Sequence, residues 1–387
     1  MMHIVFVGYH DFSVQSAAHI FHLANALVRL GHQCTVFATH NKESVHQLGE
    51  PLFTVRNYDE KDSFSLPPGE SALVHAWTPR EGVRRCTQYL RERLRCPYLV
   101  HLEDNELAIM KEYLGLNLAE ADAMTDAAIA ARLPEDTAIS CVHPRRFRPF
   151  LAGASGITLI VESLADFVPA GVPHMVITPS CNVPSARDAE TGSNVRRELG
   201  IAADVFVVYY PGAVNKLNRS EIVELYEAVG TLYAEGANIL LLRTGIDYCP
   251  LPHGLANAPH VLNLGFRSWE EMARFPAAAD FFVQPGGSNP YNDYRFPSKL
   301  PEFFAAGKAV LLPATNLGKK IRHGVDAWVL EQGDAKEIAS TLRLLMQNPK
   351  LRSSLGQGAR AFFERTFNWD NSARELSEFY CAITTKA

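Results

Sequence analysis

The sequence predicts an α/β chain built from two doubly wound parallel sheets, each the centre of its own domain. Three observations carry this. At 387 residues the chain is longer than one hydrophobic core serves, since single cores stop growing near ~250–300 residues. A strand–loop–helix–strand unit occurs near the N-terminus and again in the middle. A polar stretch bearing Pro, Gly and Ser, Ser180–Asn194 (SCNVPSARDAETGSN), stands between the two occurrences and reads as a linker. In sheets of this type ligands bind at the carboxyl ends of the strands, so loops that follow strands are the places to look for chemistry.

The composition narrows the function. A hydrophobic content of 47% and a charged content of 20% describe an ordinary globular protein. A net charge of −5 argues against a general nucleic-acid binder. The seven cysteines are scattered without a CxxC pair, so neither a zinc site nor a disulfide framework is expected. The N-terminus enters a strand-like run with no basic leader, and no run of 18 apolar residues occurs. The expected location is therefore cytoplasmic.

In the first half, His3–Gly8 is an apolar strand, and the loop after it carries His10, Asp11, Ser13 and Ser16. Ile20, Leu23, Ala24, Leu27 and Val28 have helical spacing, and Gly31 ends that helix before the strand Cys34–Ala38. The loop lacks GxGxxG, which leaves a nicotinamide or flavin reading with little support. Ala72–Ala76 and Pro97–His101 are further strands, and a basic helix at about Glu81–Arg95 lies between them. After His101 comes the acidic run Glu103, Asp104 and Glu106. His101 at a strand's carboxyl end reads as an active-site residue, with a structural histidine capping the strand as the alternative. Ala119–Arg132 is Ala-rich and helical. His143–Arg148 is a basic cluster suited to a phosphate-bearing acceptor, to an anionic membrane surface or to a solvated turn. Ser155–Val161 and Met175–Pro179 complete the strands of this half.

The second half opens with the helix Val195–Leu199 and the strand Val205–Tyr210. The loop Pro211–Arg219 follows, with Gly212, Lys216 and Arg219 just ahead of a helix at Ser220–Glu235, and forms a cationic cradle. Ile239–Arg243 is a strand ending in Thr244-Gly245, and Val261–Phe266 and Ala279–Pro285 are the next strands. The densest chemistry lies in Tyr291–Pro313 (YNDYRFPSKLPEFFAAGKAVLLP). It reads as a loop, a helix from about Pro297 to Ala306 stopped by Gly307, and a buried strand. Arg295, Lys299 and Glu302 would then stand at the entrance of that helix, three and four residues apart, as an anion site; the alternative is an exposed salt-bridge ladder. From Asn348 the chain is helical, with a break at Phe367–Asp370 before a last amphipathic helix, Ser372–Tyr380.

The runs LANALVRLGHQCTVFA, GITLIVESLADF, YYPGAVNKLNR, HVLNLGFRSWEEMARFPAAADFFVQPG, RFPSKLPEFFAAGKAVLLP, HGVDAWVLEQGD and FNWDNSARELSEFY, in this order and spacing, resemble the GT-B-fold glycosyltransferases. The likeness is to the retaining family four, glycosyl transferases group 1. The resemblance implies two Rossmann-like domains facing a central cleft. It divides them as 1–183 for the acceptor and 184–366 for the nucleotide-sugar donor, with a C-terminal helix, 367–387, crossing back to the first.

The same resemblance assigns roles. Donor binding falls to Gly212, Lys216, Arg219, Thr244, Gly245, Phe266, Tyr294, Arg295, Ser298, Lys299 and Glu302. The loop Gly212–Arg219 would grip the diphosphate, with Ala213 where the family usually has arginine. Glu302 matches the second of two glutamates eight apart, and the first is replaced by Tyr294 or its neighbour Asp293. Asp293 and His101 are the catalytic candidates, with His75 as second choice for the histidine. His10, Ser13, Glu103 and Asp104 are the acceptor-side candidates. The expected reaction is retaining hexosyl transfer from a UDP-sugar or GDP-mannose to a hydroxyl on a glycan, a lipid-linked saccharide or a small molecule. An oxocarbenium-like state would be balanced by Arg295, Lys299 and Lys216 or Arg219. No DxD pair is suitably placed, so no metal and no cofactor are expected. A silent nucleotide-binding partner of another transferase, a sugar-nucleotide epimerase and a phosphorylase are the alternatives. Peripheral membrane contact would run through the helix Arg84–Arg95 or the cluster Arg145–Arg148.

Overall fold

The computed structural model describes residues 1–67, 69–132, 141–181 and 189–384. The chain divides into two units. The first comprises Met1–Pro179, Tyr294–Phe296 and the terminal segment from Asn368; the second comprises Ser180–Asp293 and Pro297–Phe367.

The first unit is a sheet of 7 parallel strands in the order β3-β2-β1-β4-β5-β6-β7. These are β1 His3–Val7, β2 Gln33–Ala38, β3 Thr54–Asn57, β4 Ala72–Trp77, β5 Tyr98–Leu102, β6 Gly156–Leu159 and β7 His174–Val176. The central strands β1, β4, β5 and β6 are buried along their whole length, as parallel strands covered on both faces must be. The helix Gln15–Arg29 buries Ile20, Leu23, Ala24 and Leu27. The terminal helix Trp369–Thr384 packs against it and joins the same core through Leu376, Tyr380 and Ile383. That docking is close. A Cβ on Gly156 would stand 2.3 Å from Ile383 Cδ1, and the Tyr380 hydroxyl meets His75 Nδ1 at 2.7 Å.

The second unit repeats the plan with 6 strands in the order β10-β9-β8-β11-β12-β13. These are β8 Phe206–Pro211, β9 Ile239–Thr244, β10 Val261–Asn263, β11 Phe281–Val283, β12 Ala309–Pro313 and β13 Trp328–Leu330. All pairings are parallel, in both sheets. Strand order reverses direction between β1 and β4 in one sheet and between β8 and β11 in the other. These are the topological switch points, where crevices open at the carboxyl ends.

Several expectations need correction. The helix expected over Pro297–Ala306 spans only Leu300–Ala305. Pro301 has no N–H to give and is tolerated only in a first turn, so it moves the start to Leu300. Lys299 becomes the N-cap residue, and Arg295 lies outside the helix and within the first unit. A shared helix face for Arg295, Lys299 and Glu302 therefore does not exist. The Ala-rich stretch is two short helices, Leu118–Ala123 and Asp126–Arg132, because Met124 is extended and breaks the run. The expected linker yields to a helix, Ala189–Glu198, and the remaining boundary at 183/184 lies outside the described residues. Strands β3 and β13 are too short and half-buried to show an apolar run. The helix Ala335–Gln347 also goes beyond the sequence reading, although Asp334 caps it by accepting from Glu337 N.

Among the described residues no helix is long and apolar enough to cross a membrane. Cys34, Cys86 and Cys141 are buried as free thiols, and burial pushes Cys34 and Cys86 up to about 12.

Candidate active site

In the second unit three strand ends are laced together at one edge. Gly212 N donates to Thr244 O at 2.9 Å, and Gly245 N donates to Gly265 O at 2.8 Å. Gly212 has φ +141° and Gly245 φ +121°, backbone that L side chains rarely adopt. A Cβ on Gly245 would stand 2.3 Å from Gly212 O, so the two loops can touch only through glycine. A Cβ on Gly212 would meet Lys299 Cε and Nζ, each at 3.2 Å. Gly212, Thr244, Gly245 and Lys299, all expected at the donor site, are thus brought together.

Lys299 is half-buried, and Nζ donates to Tyr210 Oη at 3.3 Å and Gln284 Oε1 at 3.5 Å. It also stands 4.5 Å from the centre of the Tyr210 ring. Tyr210 lies in β8 and Gln284 directly after β11, so the ammonium sits at the switch point of the sheet. None of these partners is an anion.

The loop between β8 and the helix Arg219–Ala234 is held by asparagines. Asn215 Oδ1 accepts from Leu217 N at 2.9 Å and Asn218 N at 3.2 Å, while Asn218 Nδ2 donates to Ala213 O at 3.0 Å. Lys216 is exposed on this loop, and Arg219 opens the helix with Nε donating to Pro250 O at 2.7 Å. Thr244 is buried, its hydroxyl 3.3 Å from Tyr209 Oη, and Phe266 is 66% exposed beside Gly265. Glu302 and Ser298 are half-buried. Asp293 accepts from Ser288 Oγ at 2.6 Å.

Sequence reading missed two supports of this edge. Arg243, fully buried at the end of β9, donates to Gly212 O at 2.9 Å and to Tyr226 Oη at 3.2 Å, and pairs with Asp247 at 2.7 Å. One guanidinium therefore ties the Gly212 loop to the loop after β9. Burial pushes its pKa down, but Asp247 and Tyr226 outweigh that and the group stays charged. Glu221 accepts from Asn292 Nδ2 beneath Gly286, whose φ is +108°. An arginine inside an apolar strand ending in Thr-Gly was the available signal for the first; the second had none.

In the first unit the carboxyl edge is filled by buried polar groups. Thr78 follows β4 with φ +95°, an outlier for a β-branched residue, and is fully buried. Arg80 lies 4.4 Å over the Tyr9 ring and pairs with Glu106 at 3.2 Å and Asp104 at 3.6 Å. Burial pushes Glu106 up to about 7, against the pull of Arg80. Burial also raises Asp104, although Arg80 and Arg295 oppose it. Tyr294 donates to Asp166 Oδ2 at 2.8 Å, its ring 5.0 Å from Phe167.

His101 is 1% exposed, stacked on Trp77 with ring centres 4.0 Å apart, and Nδ1 meets Thr158 Oγ1 at 2.8 Å. Burial pushes it down to about 4, so it is neutral at pH 7; Glu103, 4.0 Å from Nε2, does not reverse this. Both nitrogens of His75 are engaged, by Tyr380 at 2.7 Å and Thr158 at 2.9 Å. Glu103 receives Trp77 Nε1 at 2.8 Å and Ser16 Oγ. Ser13 donates to Asp11 Oδ1 from N at 3.0 Å and also from its hydroxyl, and His10 Nδ1 reaches the same oxygen at 2.8 Å. Most of the arginines expected to face a membrane have internal partners: Arg84 and Arg146 with Glu81, Arg93 with Phe64 O, Arg145 with Asp126 and Arg148 with Asp122.

Two Rossmann-like parallel sheets with a glycine-laced, cation-bearing strand edge define a GT-B fold. Residues 205–348 match the family model of Glycosyl transferases group 1, which bears out the resemblance read from the sequence. The chain is 31% identical over 117 residues to amylovoran biosynthesis glycosyltransferase AmsK of Erwinia amylovora, covering 30% of this chain and 29% of that protein. It is 26% identical over 222 residues to a D-inositol 3-phosphate glycosyltransferase of Thermobispora bispora, covering 53% and 49%. The chain thus spans less than half the length of these curated relatives. Similar folds include HepE of Anabaena in complex with UDP-glucose, with a TM-score of 0.68, 15% identity and coverage of 99% and 100%. A glycosyltransferase of Rickettsia africae has a TM-score of 0.69, 13% identity and coverage of 100% and 99%.

Proposed function

We propose that the protein is a glycosyltransferase that moves a hexose from a nucleotide-diphosphate sugar to a hydroxyl-bearing acceptor. The observation that carries this is Lys299, a half-buried cation with no anionic partner among the described residues, held against the bare backbone of Gly212 at a sheet switch point. A diphosphate supplies the missing anion. Gly212 lets it approach the backbone, and Lys299 with Lys216 or Arg219 opposes the charge that builds on it as the glycosidic bond breaks. The likeness of residues 205–348 to group 1 transferases and the UDP-glucose held by a structural neighbour support this reading. Phe266 offers an exposed ring to a base, and Glu302 accepts from ribose hydroxyls. UDP-sugars and GDP-mannose are the donors of choice.

In this reading transfer proceeds with retention by same-side attack and without a metal. Asp293 supplies the carboxylate that position 294 lacks. His101, neutral at pH 7, is the first unit's sugar-side group, and His10, Ser13, Glu103 and Asp104 its acceptor-side groups. The decisive experiment incubates the protein with a panel of UDP- and GDP-sugars and measures nucleotide diphosphate release, with and without EDTA. Release from one donor, unchanged by EDTA, is expected. Tight nucleotide binding without turnover of any donor would favour a silent nucleotide-binding partner, a reading that the absence of a glutamate at position 294 motivates. Flotation with anionic vesicles tests membrane contact through Arg85, Arg93 and Arg95, which are exposed on or beside the helix Glu81–Leu94.

A further inference from the structure

The loops after β1 and β2 bring together His10, Asp11 and His40, whose ligand atoms all lie within 4.8 Å of one another. We propose that these three residues form a binding site for a zinc-class transition-metal ion; His10 is shared with the acceptor-side groups of the proposed transfer, but metal binding itself does not depend on that reading.

The distances carry the argument. Two donors each ~2.05 Å from a tetrahedral zinc stand ~3.4 Å apart. His10 Nδ1 is 2.8 Å from Asp11 Oδ1, and His40 Nε2 is 3.9 Å from Oδ2 of the same carboxylate, so the two histidines flank one carboxylate at close to ligand spacing. The His10 and His40 rings face each other edge to face with centres 5.3 Å apart. The three ligand atoms, within 4.8 Å of one another, must draw in by at most about 1.4 Å to reach that spacing, a change open to the partly exposed His10 and His40 side chains.

The outer contacts suit a metal ligand. Asp11 is 6% exposed and held on several sides: Ser13 N and Ser13 Oγ donate to Oδ1, and Asn41 Nδ2 donates to Oδ2 at 3.1 Å. His40 Nδ1 meets Thr39 Oγ1 at 2.8 Å. When Nδ1–H donates there, the lone pair is on Nε2, the nitrogen that faces Asp11. Orientation of ligating histidines and carboxylates by such partners is a recurrent feature of metal sites. The His10 and His40 side chains are 40% and 62% exposed, which leaves a face open for water as a fourth ligand. Two imidazoles and one carboxylate select zinc, cobalt or nickel over magnesium or calcium. A bound ion would clamp the β1 loop to the β2 loop.

The test uses the full chain, stripped with chelator, and titrates Zn2+ by calorimetry and Co2+ by visible absorption. One ion per chain is expected, with a cobalt spectrum of low coordination number and a melting temperature that rises with Zn2+. His40→Ala, at an exposed position that leaves the core intact, should weaken binding at least about tenfold. His46→Ala, which removes a histidine near Glu43 and Glu50 on the neighbouring turn, should leave it unchanged. Absence of one-to-one binding, binding unaltered in His40→Ala, or loss of binding in His46→Ala would each overturn the proposal.

Discussion

Replacing Lys299 with methionine removes one charge and keeps the apolar stem that lies over Tyr210. The ammonium touches a phenol at 3.3 Å and a carboxamide oxygen at 3.5 Å, neither of which neutralises it. A phosphate oxygen about 4 Å from Nζ would gain about 4 kcal/mol at an effective dielectric constant near 20. Competition with water reduces such charge-assisted contacts to a net ~1.5–3 kcal/mol. At 1.4 kcal/mol per tenfold, nucleotide diphosphate affinity should fall by roughly 10- to 150-fold. Folding should respond differently. An unpaired, half-buried cation contributes little to the native state, so Lys299→Met should melt at or above the wild-type temperature. The assay pairs calorimetric titration of UDP and GDP with thermal melting, and kcat/KM with the donor that turns over. Unchanged nucleotide affinity would refute the placement of the diphosphate. A fall in affinity that merely tracks a lower melting temperature would refute the claim that Lys299 serves a ligand rather than the fold.

Arg243→Met should destabilise the second unit by about 3 kcal/mol, the low end for breaking a buried pair, because Asp247 is 26% exposed and can be hydrated. Adding Asp247→Asn should recover part of this in urea unfolding. Gly245→Ala forces a methyl to 2.3 Å from Gly212 O at a φ of +121°, so it should cost about 1–3 kcal/mol and abolish nucleotide binding measured by calorimetry. Asp326, bound by Arg322 and Arg365, has its carboxyl lowered from 3.8 to about 2. Its contribution of about 2 kcal/mol is fully present above pH 3.8 and lost as pH falls through 2, so acid unfolding monitored by circular dichroism should be flatter in Asp326→Asn. Glu106 has the opposite sign. Its carboxyl is raised from 4.5 to about 7, so the native state holds a proton that the unfolded chain releases, and stability falls as pH rises from 4.5 to 7. Glu106→Gln should remove that slope in melts taken across the same range.

Much of this was legible in the sequence because parallel strands buried on both faces leave continuous apolar runs. β1, β4, β5, β8, β9 and β12 all announce themselves, and the glycines at 212 and 245 mark where backbone must approach backbone. Short edge elements such as β3 and β13 take their shape from pairing with a neighbour, which no local pattern encodes. The helix at Leu300 shows the limit in another way. Charges at 295, 299 and 302 fit a helical ladder, but Pro301 allows only a start at Leu300, and a three-residue segment, Tyr294–Phe296, packs with the other unit. Arg243 was visible as a letter but not as a role, because its three partners lie at positions 212, 226 and 247.

The contrast between the two strand edges locates the ligand electrostatics. Both edges carry unusual backbone at their switch points, Thr78 in one unit and Gly212 and Gly286 in the other. At the first, the buried polar groups partner one another: Arg80 meets Glu106 and Asp104, whose carboxyls burial raises, and His101 is neutral at pH 7. A set so engaged shapes a surface and offers hydrogen bonds to neutral hydroxyls. At the second, Arg243 is answered by Asp247 and Lys299 by no anion among the described residues. On the proposed reading the diphosphate falls to the second unit, and a sugar hydroxyl, which needs donors and acceptors but no counter-charge, suits the first.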